Sequence, residues 1–127
     1  MESELYKENI LDHYRNPRNK RNMPGATFHH KELHVFCGDE IELFVRLGTD
    51  DAITEVSFEG TGCAVSQAAA SLLMDALVGK RAHEIIRMGI VEIQELLGIT
   101  LSASRVPCAL LALRAFQNGW RMYYGTR

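Results

Sequence analysis

The stretch Glu40-Ile41-Glu42-Leu43-Phe44-Val45-Arg46-Leu47, followed by Gly48, decides the fold. Ile41, Leu43, Val45 and Leu47 fall on one side of an extended chain and Glu40, Glu42 and Arg46 on the other, with Phe44 the exception. A period of two with one apolar face is the pattern of a β-strand covered on one side. Working outward, Cys37-Gly38-Asp39 and Gly48-Thr49-Asp50-Asp51 are turn sequences. Beyond them His34–Phe36 and Ile53–Glu59 read as two further short strands. Past Gly60-Thr61-Gly62 the period becomes helical: Val65, Ala68, Ala69, Leu72, Leu73 and Ala76 form an apolar stripe that stops at Gly79. His83–Met88 and Ile90–Leu97 read as short helices broken by Gly89 and Gly98, and a last helix runs from Val106 to Trp120. Upstream, Leu5, Ile10, Leu11 and Tyr14 give an amphipathic helix from Glu2 to Tyr14, stopped before Pro17. The order predicts an α+β domain: a small three-stranded antiparallel sheet with helices packed on one face, an N-terminal helix and a C-terminal helical half.

The 127 residues are 46% hydrophobic and 24% charged, the composition of one domain spanning residues 1–127, with no linker, repeat or low-complexity tract. Lys and Arg number 14 against 16 Asp and Glu, a net charge of −2. That balance argues against nucleic acid or an anionic membrane surface as the main partner. No run approaches the ~18–20 apolar residues of a membrane span. The start Met1-Glu2-Ser3-Glu4-Leu5-Tyr6-Lys7 lacks the basic and apolar regions of a secretory signal. Three cysteines, an odd number, argue against a disulfide framework and for a reducing, cytoplasmic setting.

Cys37, Cys63 and Cys108 are then either buried small hydrophobes or soft ligands for a metal or cluster. Cys37 sits in a turn between strands, Cys63 just before a helix and Cys108 in the first turn of the last helix. All three stand at element ends and none lies in an apolar stripe, a placement harder to obtain from core packing. At a helix N-terminus the unsatisfied N–H groups favour thiolate, the form that binds metal or attacks sulfur. Gly38, Gly60 and Gly62 flank the first two cysteines and permit close approach of a bulky ligand. Asp39 is either ordinary turn chemistry or a carboxylate completing a three-thiolate site. Spacing leaves the choice open, since no compact C-x-x-C pair is present.

Four ordered motifs narrow it: Asp12-His13-Tyr14-Arg15-Asn16-Pro17-Arg18-Asn19, Cys37-Gly38-Asp39, Phe58-Glu59-Gly60-Thr61-Gly62-Cys63 and Arg105-Val106-Pro107-Cys108. Over nearly the whole chain they resemble the U-type iron–sulfur scaffold family: IscU, SufU and the N-terminal domain of NifU. The resemblance implies a scaffold, not an enzyme, on which a [2Fe–2S] cluster is assembled. Its sulfur would come from a cysteine desulfurase, and the cluster would pass to iron–sulfur acceptor proteins. Cys37, Cys63 and Cys108 would be the ligands and Asp39 the fourth ligand or exchange gate, with zinc as an alternative occupant. Three thiolates and one carboxylate suit a site that releases its cluster.

Pro107 stands where IscU-type members carry His, and Ser102-Ala103-Ser104-Arg105-Val106 replaces their chaperone-recognised L-P-P-V-K. Arg105 matches the R-x-x-C of SufU proteins, whose insertion before that cysteine is missing. The alternative is therefore a SufU-like zinc-dependent sulfurtransferase, with Cys108 the persulfide acceptor candidate; the blandest reading is a structural zinc module. Whether a cluster bridges the copies of a homo-oligomer stays open.

Other residues read more plainly. Arg105 is an auxiliary cation that raises thiolate content at Cys108, or a surface residue at a helix start. His13 reads as a surface or capping group. His29 and His30, adjacent on an extended strand, point to opposite faces and do not easily share one metal. Arg15, Arg18, Lys20 and Arg21 read as a solvated loop, or as a docking site for an acidic partner. Met74 reads as core, and Tyr123 and Tyr124 as an interface or a frayed end.

Overall fold

The alternating segment becomes the central strand of a three-stranded antiparallel sheet with order β1-β2-β3. The computed structural model describes residues 2–35 and 38–125. Its elements are α1 (Glu2–Arg15), β1 (Phe28–His34), β2 (Asp39–Leu47), β3 (Ile53–Thr61), α2 (Ala64–Leu77), α3 (Ala82–Ile85), α4 (Ile90–Leu97) and α5 (Val106–Gly125). Phe36 and Cys37 lie outside the described residues, as do the side chains of Leu5 and Tyr6.

Ile41, Leu43 and Val45 are fully buried, and in register with them Phe58 and Val56 continue the apolar face onto β3. α2 and α5 cover that face and pack on each other. Buried small residues on both helices (Ala68, Ala69 and Ala70 of α2; Ala109, Ala112 and Ala115 of α5) let neighbouring elements approach closely, and Leu73, Met74, Leu113 and Phe116 belong to the same buried core. The predicted α+β architecture is the observed one. Met74 is core, and Gly98, at φ +76°, ends α4 in a left-handed cap.

Several bounds differ from the sequence reading: the helix expected over His83–Met88 is only Ala82–Ile85, β3 runs on to Thr61, and β1 and α5 differ most. The strand expected over His34–Phe36 lies instead over Phe28–His34, the two sharing only His34, because an edge strand with polar residues on both faces gives no apolar period of two. α5 continues to Gly125 instead of ending near Trp120. Tyr123 stacks on Phe28 with ring centroids 5.6 Å apart, and Trp120 packs beside them. The last turn is therefore pinned to the sheet, and Tyr123 is neither frayed nor a bare interface. Gly119 makes the close approach possible: a methyl there would stand 2.7 Å from His30 Cβ.

The motif Asp12–Asn19 is structural, which corrects the reading of His13 as a surface group. His13 is buried, and its Nδ1 lies 2.8 Å from Ser71 Oγ, which also accepts the Arg18 backbone N–H at 2.8 Å. One hydroxyl on α2 thus holds both α1 and the chain leaving it. Asp12 takes Arg18 and Asn16, and the Asn19 carbonyl accepts the Phe58 N–H, covering the outer edge of β3. Lys20 reaches Gln67 and lies over the Phe58 ring, and Arg21 pairs with Glu55. The basic loop is solvated, as read, with Arg15, Lys20 and Arg21 exposed, and is also tied down through Arg18, Lys20 and Arg21.

Burial holds the His13 imidazole below its ordinary value, helped by the Arg18 cation. A folded-state value below the unfolded one means that the unfolded chain binds the proton first as pH falls. His13 therefore supports the fold above about pH 6.5 and loses that support as pH drops below it. The urea midpoint is expected to fall between pH 7.5 and 5.5, and to fall less for His13→Asn. Equal slopes for the two proteins would refute the assignment.

Candidate metal centre

Three chain segments end at one place. Asp39 opens β2, Cys63 is the N-cap residue of α2, and Cys108 is the third residue of α5. One carboxylate oxygen of Asp39 and the two sulfurs all lie within 4.8 Å of one another. A tetrahedral ion with bonds of about 2.0–2.3 Å spaces its ligand atoms by about 3.3–3.8 Å, so small side-chain adjustments bring these three onto one ion.

Asp39 is 3% exposed. Its Oδ1 accepts the Cys63 backbone N–H at 3.1 Å, which binds the start of β2 to the start of α2. Its Oδ2 is buried and has no hydrogen-bond partner among the described residues. Leaving such an oxygen unpaired costs about 1–3 kcal/mol or more, and a cation held jointly with two thiolates removes that cost. The donor set and the orphaned oxygen therefore fit a zinc ion or an iron–sulfur cluster.

The backbone around the site explains the glycines. A methyl on Gly62 would stand 2.5 Å from Ser66 Oγ and 2.8 Å from Asp39 Cγ, so the carboxyl lies directly against this residue. Gly38 turns at φ +70°, and its N–H donates to the His34 carbonyl at 2.9 Å. The Cys63 carbonyl accepts both the Gln67 N–H and the Ser66 hydroxyl, fixing the first turn of α2 beneath its half-buried side chain. Cys108 is only 2% exposed. Pro107 costs α5 nothing, because an N–H in the first turn has no partner within the helix.

Of the residues picked from sequence, Asp39, Cys63 and Cys108 are brought together, and Cys37 lies outside the described residues. Arg105 is exposed at the start of α5, its carbonyl accepting the Ala109 N–H. His29 and His30 take different carboxylates: His29 pairs with Glu42, and the half-buried His30 pairs with Glu32. Sequence reasoning misses the link from Asp39 to the Cys63 N–H, of which only the adjoining Gly-x-Gly gives a hint.

Comparison with known proteins bears on this geometry. A family model described as NifU-like N terminal domain matches residues 5–127. A Bacillus subtilis protein named zinc-dependent sulfurtransferase SufU is 30% identical over 132 residues, covering 91% of this chain and 88% of that one. A Thermotoga maritima protein named iron-sulfur cluster assembly scaffold protein IscU is 34% identical over 84 residues, covering 66% and 58%. The crystal structure of a NifU-like N-terminal domain from Brucella abortus superposes with a TM-score of 0.78 at 17% identity, covering 96% of each chain. That last likeness shows the fold.

Proposed function

Since the chain belongs to the NifU-like N-terminal domain family, we propose that it is an iron–sulfur assembly scaffold. It accepts sulfur from a cysteine desulfurase, holds a [2Fe–2S] cluster transiently, and passes it to acceptor proteins. The ligands are Cys37, Cys63, Cys108 and Asp39. The observation that carries this reading is the buried Asp39 carboxylate, one oxygen of which lies within 4.8 Å of two sulfurs and whose Oδ2 has no hydrogen-bond partner among the described residues.

Burial suggests an order for the thiols. Cys63 is half-buried and Cys108 buried, so of these two Cys63 meets an incoming persulfide first. The Cys108 thiolate then attacks the terminal sulfur of the Cys63 persulfide. A new S–S bond forms at Cys108, the bond to Cys63 breaks, and Cys63 leaves as thiolate while the proton stays on the transferred sulfur. Cys108 thereby ends as the persulfide residue. Arg105, at the start of the same helix, is an auxiliary cation for it.

A second reading, a zinc-dependent sulfurtransferase, is supported by the likeness to the Bacillus subtilis protein across 91% of the chain. The same four residues would hold zinc, which when bound keeps thiolates deprotonated at neutral pH. Anaerobic reconstitution with iron, cysteine and a desulfurase separates the two. The scaffold gives a coloured protein with [2Fe–2S] absorbance, lost in Cys63→Ser and Cys108→Ser. A colourless protein with one tightly held zinc, and desulfurase turnover that rises on its addition but not on adding Cys108→Ser, would establish the sulfurtransferase instead.

A further inference from the structure

The side of β1 that faces α5 is polar where the neighbouring strand is apolar. His30, Glu32 and His34 lie in register with Leu43, Ile41 and Asp39, and all three are half-buried. Glu32 Oε1 accepts the Asn118 Nδ2–H at 2.7 Å and pairs with His30 Nε2 at 2.9 Å. His34 ends the row, and its register partner is Asp39 of the metal centre.

Directly opposed residues of an antiparallel pair place their side chains on one face, with Cβ atoms about 4.5–5.5 Å apart. The imidazole of His34 and the carboxylate of Asp39 therefore share the side of the sheet on which Cys108 lies. The lengths of the two elements agree. β1 advances about 14 Å from His30 to His34, while α5 covers about 16 Å from Gly119, which abuts His30, to Cys108. The His34 carbonyl also accepts the Gly38 N–H, closing the connection into β2. His34 is not one of the three donors within 4.8 Å of each other; it stands one strand over, beside the one oxygen ligand among them.

We propose that His34 is a reserve donor of the metal centre, its imidazole entering the position that Asp39 gives up. This rests on the metal-centre reading above. Imidazole binds zinc and iron alike, so the exchange replaces an anionic oxygen ligand with a neutral nitrogen one and keeps the number of protein donors. The first turn of α5 supplies no such group, since Val106 and Pro107 carry no donor.

Binding of Co2+ alone, under anaerobic conditions, tests it through the visible d–d and thiolate charge-transfer bands and through competition for affinity. The full-length chain is compared as wild type, Asp39→Ala, Asp39→Ala/His34→Ala and Asp39→Ala/His34→Asn, the Asn variant keeping a polar group at the half-buried position. Asp39→Ala is expected to keep a tetrahedral spectrum with shifted bands. Both double variants are expected to bind at least about tenfold more weakly than Asp39→Ala. If the doubles match Asp39→Ala in spectrum and affinity, His34 is no ligand, while the metal-centre reading stands on the wild-type result. If the wild type binds no Co2+, both fall together.

Discussion

Gly60→Ala will cost the domain about 3 kcal/mol or more, enough to lower Tm by roughly 10 °C and in a marginal background to prevent folding. Gly60 sits in β3 at φ +145°, a conformation that residues with a Cβ rarely adopt. It pairs with Ile41 on the central strand, and an added Cβ would come 2.0 Å from the Glu40 carbonyl oxygen and 2.9 Å from Ile41 Cα. Those are backbone atoms of a strand buried under two helices, so no flexible side chain can swing aside. Backbone strain of about 1–3 kcal/mol adds to the displacement of the β2–β3 ladder. Against a total stability of about 5–15 kcal/mol, that is a large fraction. Urea denaturation with an unchanged slope and a much lower midpoint is the expected record. A midpoint matching wild type would show that β2 and β3 do not pair with Gly60 opposite Ile41.

Gly62→Ala, two residues on, is expected to spare the fold and damage the site. No positive φ bars a side chain at Gly62, so the penalty is local. Its methyl would displace Ser66 Oγ and the Asp39 carboxyl, which stand 2.5 and 2.8 Å from the Cβ position. The carboxylate then loses its bond from the Cys63 N–H and is pushed from its place beside the sulfurs. Metal affinity should fall by about 10–100-fold, the loss seen when the groups that orient a ligand are disturbed, with Tm of the metal-free protein shifting far less than for Gly60→Ala. Zinc titration against a chromophoric chelator, together with a metal-free melt, reads both. Unchanged affinity would mean that Asp39 does not bind the ion.

These two neighbours show what the sequence can and cannot say. The Gly-x-Gly before Cys63 marks a tight turn on sight, but which glycine serves the strand and which serves the carboxylate depends on what crosses from β2. The central strand is readable because Ile41, Leu43 and Val45 carry the period themselves. β1 is not, since its Phe28, His30, Glu32 and His34 face a helix rather than a uniformly apolar layer. The last turn of α5 cannot be placed without Phe28, ninety-five residues from Tyr123 in the chain. The two sulfurs and Asp39 are legible as a set through their motifs, since periodicity carries no information on convergence. His13 misleads because its partner Ser71 lies 58 residues away, inside a helix whose apolar stripe gives no sign of a buried hydroxyl.

The donors at the starts of β2, α2 and α5 have a mechanical consequence. Asp39 and Cys63 are 24 residues apart and Cys63 and Cys108 are 45 apart, so an ion shared by all three acts as a removable cross-link across long chain loops. While it is present, three termini of otherwise separate elements are stapled together. On its departure they would be freed at once, while the layer of Ile41, Leu43, Phe58 and Phe116 would keep the rest in place. If the chain is the scaffold proposed above, giving up its cargo would loosen the very corner through which it leaves, and taking on new cargo would stiffen that corner again.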